Sequence, residues 1–184
     1  MTQKTSTTEY ETKVVDFDLQ DVLRKLRVLG AKETSEILLK RWVFDFSGKT
    51  EATWLRLRSV GEKSYLAFKK KPKRNTVVGV TKEIEVEVQD FEKMYQILSK
   101  VPFDKLFYQE NKRHRFELDG IEFCIDTWPN LPPYLEIESD SEEKLKEGLK
   151  MLGLEGKDIG DKDVKVIYEE AGIDLHSFSE LKFN

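Results

Sequence analysis

The sequence predicts an α+β fold: an eight-stranded antiparallel closed β-barrel, a tunnel, with helices packed outside and a pseudo-twofold internal repeat. Three observations predict it. Short runs throughout the chain alternate charged with aliphatic residues, as strands with one polar and one apolar face do. The two halves align on each other: a shift of 74 lays Glu9, Glu11, Asp16 and Phe17 on Glu83, Glu85, Asp90 and Phe91. Amphipathic segments between the runs read as helices, and these need an apolar surface to cover.

The elements follow in order. A strand over 9–16 carries Glu9, Glu11 and Lys13 on one face. Asp18 N-caps a helix through Val22, Leu23, Leu26 and Leu29, ended by Gly30. A strand over Ile37 to Phe46 leads to the Ser47-Gly48 turn, and Thr53 to Arg58 forms the next. Gly48-Lys49-Thr50 is not a P-loop, because Val43 stands where its first glycine belongs and a strand follows. A fourth strand from Tyr65 reaches Lys71 and stops at Pro72 in the basic loop 69–74. The second half repeats this order. It has a strand over Glu83 to Val88, a helix over 90–100, and strands over 106–118, through Trp128, and over Tyr134 to Ser139. Asp140 is expected to cap a helix through Leu145, Leu149 and Leu152, and a last helix lies near 161–171. Shifts of 72 and 69 superpose the later strands, Lys40-Arg41 on Lys112-Arg113 and Tyr65-Leu66 on Tyr134-Leu135.

With 184 residues the chain reads as a single domain over 8–184 behind a flexible tail, 1–7. Charged residues make up 36%, above the roughly 25% of typical domains, yet Lys+Arg 31 nearly balances Asp+Glu 35. That balance argues against nucleic acid, and the basic loop is short and lacks aromatics. A single cysteine, Cys124, excludes an internal disulfide and fits a cytoplasmic protein. There is no apolar run of membrane-spanning length. His114 and His176 lie far apart beside that one cysteine, which argues against zinc. The oligomeric state stays open between monomer and homodimer.

Summing the faces shows where the charge goes. Leu55/Leu57, Leu66/Phe68, Ile84/Val86/Val88, Phe123/Ile125 and Leu135/Ile137 are aliphatic. Opposite them stand Glu9/Glu11/Lys13, Arg56/Arg58, Lys69/Lys71, Glu83/Glu85/Glu87, Arg113/Arg115, Asp126 and Glu136/Glu138. Helices covering the aliphatic face outside leave the charged face inward. The alternative is a half-open sheet whose charged face meets water. Carboxylates and cations enclosed together need a ligand carrying both signs, a polyanion with hard cations. Carboxylate oxygens suit Mg²⁺ or Mn²⁺, and Lys and Arg suit phosphate oxygens, so the constellation points to a small-molecule triphosphate.

This ordered set resembles the CYTH superfamily, the triphosphate tunnel metalloenzymes, which include class IV adenylyl cyclases, thiamine triphosphatases and tripolyphosphatases. The resemblance runs from residue 9 to about 171. It implies a metal-dependent enzyme in which Glu9, Glu11, Glu136 and Glu138 bind Mg²⁺ or Mn²⁺, supported by Glu83, Glu85 and Asp126. Lys13, Arg56, Arg58, Lys69 and Arg113 would hold phosphates and, with Glu9 and Glu11, act in catalysis. Lys71, Arg115 and Tyr168 join the substrate-binding set, Tyr168 resembling the tyrosine of a helix that plugs one tunnel mouth. Arg41 and Val43 depart from the family pattern, as does the loop from Asp126 to Tyr134, which lacks Gly-Leu-Gly. Strand register decides which of Lys112, Arg113 and Arg115 joins the charged face. Three readings of function remain: hydrolysis of the terminal phosphate of tripolyphosphate, ATP or thiamine triphosphate; cyclisation of ATP to cyclic AMP and pyrophosphate; and a non-catalytic triphosphate sensor.

Overall fold

The alternating runs all become strands, and the order in which they pair decides the architecture. The computed structural model of the protein describes residues 10–46, 51–72 and 82–184. The elements are β1 (Tyr10–Val14), α1 (Leu19–Val28), β2 (Lys32–Glu33), β3 (Ile37–Asp45), β4 (Glu51–Val60), β5 (Lys63–Pro72), β6 (Lys82–Val88), α2 (Phe91–Leu98), β7 (Lys105–Leu118), β8 (Ile121–Thr127), β9 (Tyr134–Ser139), α3 (Glu142–Leu152), α4 (Val164–Glu170) and β10 (Glu180–Leu181). The main strand path runs β1-β9-β8-β7-β3-β4-β5-β6, and the two-residue strands β2 and β10 pair with β7 off that path. Every pairing in the path with a described register is antiparallel, and β10 joins β7 in parallel.

The α+β class holds, but the closed barrel does not form. The path begins at β1 and ends at β6, and these two strands do not pair among the described residues. The reason lies on the outer edge of β1. There Lys13 N–H donates to Gly160 O at 3.0 Å, Ile159 N–H donates to Lys13 O at 2.8 Å, and Val14 bridges Asp158. The segment before α4 therefore takes the hydrogen-bonding edge of β1 at Lys13 and Val14, part of the edge that closure needs.

The chain divides into two compact units, Met1–Glu36 with Lys112–Leu175, and Ile37–Asn111 with His176–Asn184. In the first unit, α1 and α3 lie on the apolar face of β1, β9, β8 and the second half of β7. Val22 and Leu26 of α1, with Leu145, Leu149 and Leu152 of α3, pack in one buried cluster with Phe123, Ile125, Leu135 and Ile137. Gly148 lets α3 come close, since a Cβ there would meet Phe123, Ile121 and Ile137 at 3.2–3.3 Å. Asp18 caps α1 as expected, accepting from Asp21 N–H. The cap of α3 is Ser141 rather than Asp140, whose carboxylate instead meets Lys144 at 3.0 Å. The β7–β8 hairpin turns through Asp119 and Gly120, both at positive φ (52° and 75°), matching the strands' right-handed twist.

In the second unit helix α2 covers the apolar face. Phe91, Met94, Tyr95 and Leu98 pack on Trp42, Phe44, Leu55, Leu57 and Leu66. Trp42 stacks on Tyr95 with ring centroids 4.3 Å apart. Cover runs out toward β6, where Ile84 is 73% and Val86 57% exposed.

Candidate active site

In the first unit, register brings the charged residues of four strands onto one face. Glu11 and Lys13 of β1 stand opposite Glu138 and Glu136 of β9. Glu138, Glu136 and Tyr134 in turn stand opposite Glu122, Cys124 and Asp126 of β8. Asp126, Cys124 and Glu122 then face Arg113, Arg115 and Glu117 of β7. This settles the register of β7. Arg113 and Arg115 belong to the charged face, while His114 lies on the other, its ring 4.5 Å from that of Phe116 and its Nε2 2.9 Å from Glu33.

The contacts are close, and Lys13, Asp126 and Glu136 at their centre are buried. Lys13 Nζ lies 3.0 Å from Glu11 Oε1 and 3.2 Å from Glu136 Oε2. Arg113 forks onto Asp126 through Nε at 2.9 Å and Nη2 at 2.6 Å, and Nη2 also reaches Glu136 Oε1 at 2.6 Å. Asp126 is 1%, Lys13 5% and Glu136 6% exposed, so these charges must satisfy one another. Burial works against ionising Glu136, yet Arg113 and Lys13 hold its carboxyl well below the usual range. Glu138 goes the other way. Burial, then the neighbouring Glu136, push it up to about 8. Lys13 loses charge preference by burial but gains more from Glu136 and Glu11, so it stays a cation.

Glu11, Glu136 and Glu138 each offer an oxygen, all within 4.8 Å of one another. Three carboxylates without nitrogen or sulfur donors fit a hard divalent cation such as Mg²⁺ or Mn²⁺. The raised Glu138 strengthens that fit, because a bound cation relieves the repulsion that keeps its proton on.

The second unit carries a face of different balance. Arg41 of β3 pairs in register with Arg58 of β4, which faces Tyr65 of β5, and Glu87 of β6 completes the row. Further along, Arg56, Ala67 and Glu85 align, as do Trp54, Lys69 and Glu83. Arg56 Nη2 lies 3.2 Å from Glu83 and 3.4 Å from Glu85, Arg58 Nη2 is 3.1 Å from Glu85, and Lys69 Nζ is 2.8 Å from Glu83. Burial and then Arg58 lower the pKa of Arg56; burial and then Arg56 lower that of Lys69. Cations that depress one another present an excess of positive charge, and the Nε atoms of Arg56 and Arg58 have no hydrogen-bond partner among the described residues. Such a face suits phosphoryl oxygens.

Of the other expected site residues, Glu9 lies outside the described residues, as does the tail 1–7, and of Lys71 only the backbone, in β5, is described. Arg115 meets Glu122 at 2.5 Å. Tyr168 is fully buried, its hydroxyl donating to Pro129 O at 2.5 Å and its ring edge-on to Trp128. Glu122, Cys124, Arg41 and Tyr134 also share these faces, and none has a site role in the sequence analysis. Counting back by twos from Asp126 reaches Cys124 and Glu122, and the alternation that selects Glu136 and Glu138 also selects Tyr134.

The model of the CYTH domain family matches residues 7–164. The chain belongs to the CYTH family. A Methanocaldococcus jannaschii protein named as a candidate adenylate cyclase is 32% identical over 146 residues, 75% of this chain and 82% of that protein. A conserved Pyrococcus furiosus protein of unassigned function shares the fold at TM-score 0.66 and 25% identity, covering 85% of this chain and 97% of its own. A Hippeastrum protein described as an adenylyl cyclase homologue with dominant triphosphatase activity shares the fold at TM-score 0.55 and 18% identity, covering 90% and 95%. No helix among the described residues of this CYTH chain is long and apolar enough to cross a membrane.

Proposed function

We propose that this CYTH protein is a metal-dependent enzyme that hydrolyses the terminal phosphate of inorganic or organic triphosphates. One observation carries the reading: within the first unit, the carboxylates of Glu11, Glu136 and Glu138 interleave with Lys13 and Arg113 on one face. A phosphate chain carries negative oxygens and travels with divalent cations, so its recognition needs both sets of groups. Glu11, Glu136 and Glu138 would hold Mg²⁺ or Mn²⁺, which when bound polarises phosphoryl oxygens and lowers the pKa of water. Lys13 and Arg113 neutralise charge on the phosphoryl oxygens, and Asp126 fixes the Arg113 fork so that no reorganisation is needed at reaction. Arg56, Arg58 and Lys69 offer phosphate contacts on the second unit's face.

Hydrolysis asks only for a triphosphate and water. Two of the three tryptophans that could stack on a base are already engaged, Trp42 with Tyr95 and Trp128 with Tyr168. The cyclase reading has its own support in the name of the Methanocaldococcus jannaschii relative. In that reaction the substrate's 3′-hydroxyl attacks the α-phosphate and pyrophosphate leaves.

The test is incubation with tripolyphosphate, ATP and thiamine triphosphate, each with Mg²⁺ or Mn²⁺, followed by separation of products. Orthophosphate is the expected product. Cyclic AMP with pyrophosphate would replace hydrolysis by cyclisation, and tight binding of all three without product would leave a sensor.

A further inference from the structure

The geometry points to the Tyr134 hydroxyl as a further hydrogen-bond donor to a bound phosphoryl oxygen, with Trp128 as its positioning residue. This rests on the proposed binding of triphosphates to the first unit's charged face. Tyr134 shares its side of β9 with Glu136 and Glu138 and stands opposite Asp126, whose carboxylate holds the Arg113 fork. Its hydroxyl lies 3.0 Å from Trp128 Nε1 in a fully buried contact. An indole nitrogen can only donate, so the phenol oxygen accepts that bond. The phenol's own proton is thereby left over, and no acceptor for it is found among the described residues. Tyr134 is 3% exposed, so water does not readily take that proton, and a buried donor without a partner is costly. A phosphoryl oxygen lying against Arg113 supplies the missing acceptor.

The surroundings hold this donor still. Trp128 is 3% exposed and meets the Tyr168 ring edge-on at 6.3 Å. Tyr168, beyond the residues matched by the family model, ties the following residue through its bond to Pro129 O. Asn130 then turns the chain at a φ of 64°. The loop between β8 and β9 thus fixes the indole, and the indole fixes the direction of the phenol proton.

The test is calorimetric titration of the full chain with Mn²⁺ alone, and then, at saturating Mn²⁺, with a non-hydrolysable imido-bridged triphosphate. Tyr134→Phe is expected to weaken binding of the analogue about tenfold or more, the scale of a hydrogen bond to a charged group, while Mn²⁺ affinity stays within about twofold. Trp128→Phe, which keeps the hydroxyl and frees its rotation, is expected to weaken the analogue several-fold in the same pattern, and it decides the matter should Tyr134→Phe fail to fold. Unchanged affinity for the analogue, or equal losses for Mn²⁺ and analogue, would overturn the assignment. Wild-type protein that binds no analogue would overturn the triphosphate reading itself, an outcome distinct from a tight-binding wild type matched by its variants.

Discussion

The charged faces of the two units are built from the same residue types and differ in what water can reach. In the first unit Lys13, Asp126 and Glu136 are almost wholly buried, and the neighbouring carboxyls of Glu136 and Glu138 shift in opposite directions, Glu136 down and Glu138 up. In the second unit Glu83 and Glu85 keep 35% and 28% of their side-chain surface, and Arg58 keeps 34%. Among the described residues α1 and α3 back the first sheet and α2 backs the second, where Ile84 and Val86 stay open. The difference teaches that alternation of charge along a strand sets a face, whereas cover decides whether that face is a solvated surface or a preorganised site.

The sharpest way to break this comparison is to remove one cation from each face. Arg113→Met strands the buried Asp126 and should cost about 3–5 kcal/mol in urea denaturation. Arg56→Met breaks part-exposed pairs and should cost about 1 kcal/mol or less. Equal costs would mean that burial does not separate the faces.

The next effect is on pH. Glu138 titrates near 8 in the folded chain, above the ordinary carboxylate value of 4.5, so folding takes up a proton between those limits. Metal-free stability should therefore decline as pH rises from about 4.5 through about 8 and level off above. Added Mn²⁺ should raise the melting temperature more at pH 8.5 than at pH 6, and Glu138→Gln should lose most of the decline. A metal response independent of pH would remove Glu138 from the proposed cation site.

Smaller still is the cost of disturbing the close helix. Gly148→Val forces methyls against Phe123, Ile121 and Ile137 and should destabilise by about 1–3 kcal/mol. The smallest change belongs to the open side of the second unit, where Ile84→Thr should stay within about 0.5 kcal/mol. A large loss there would show that the exposed side of β6 is covered in solution.

Much of this was legible in the sequence because a strand's period of two is strict. The alternation selected Glu11, Lys13, Asp126, Glu136 and Glu138, and register then brought them together. The same arithmetic contains Glu122 and Tyr134, but neither stands in a repeated charged run that would mark it. Closure was not legible. It depended on whether the edge of β1 stays free, and the residues that occupy it, 158–160, bond through backbone groups that leave no periodic signature. The strands β2 and β10, each two residues long, are too short for any pattern to announce. Capping by Ser141 rather than Asp140 is a one-residue choice between two good caps.

That occupied edge also sets an order of events during synthesis. The second unit's β3, β4, β5 and β6 follow one another in sequence and pair with their neighbours. β1 must wait for β9 and then for Asp158, which Thr12 meets across 146 positions. Contacts so distant along the chain form late, since loop closure must come first. A nascent chain released before β9 emerges would hold the Arg56, Arg58 and Lys69 face and no carboxylate trio. The carboxylate trio proposed to hold a divalent cation is therefore assembled only after β9 has emerged.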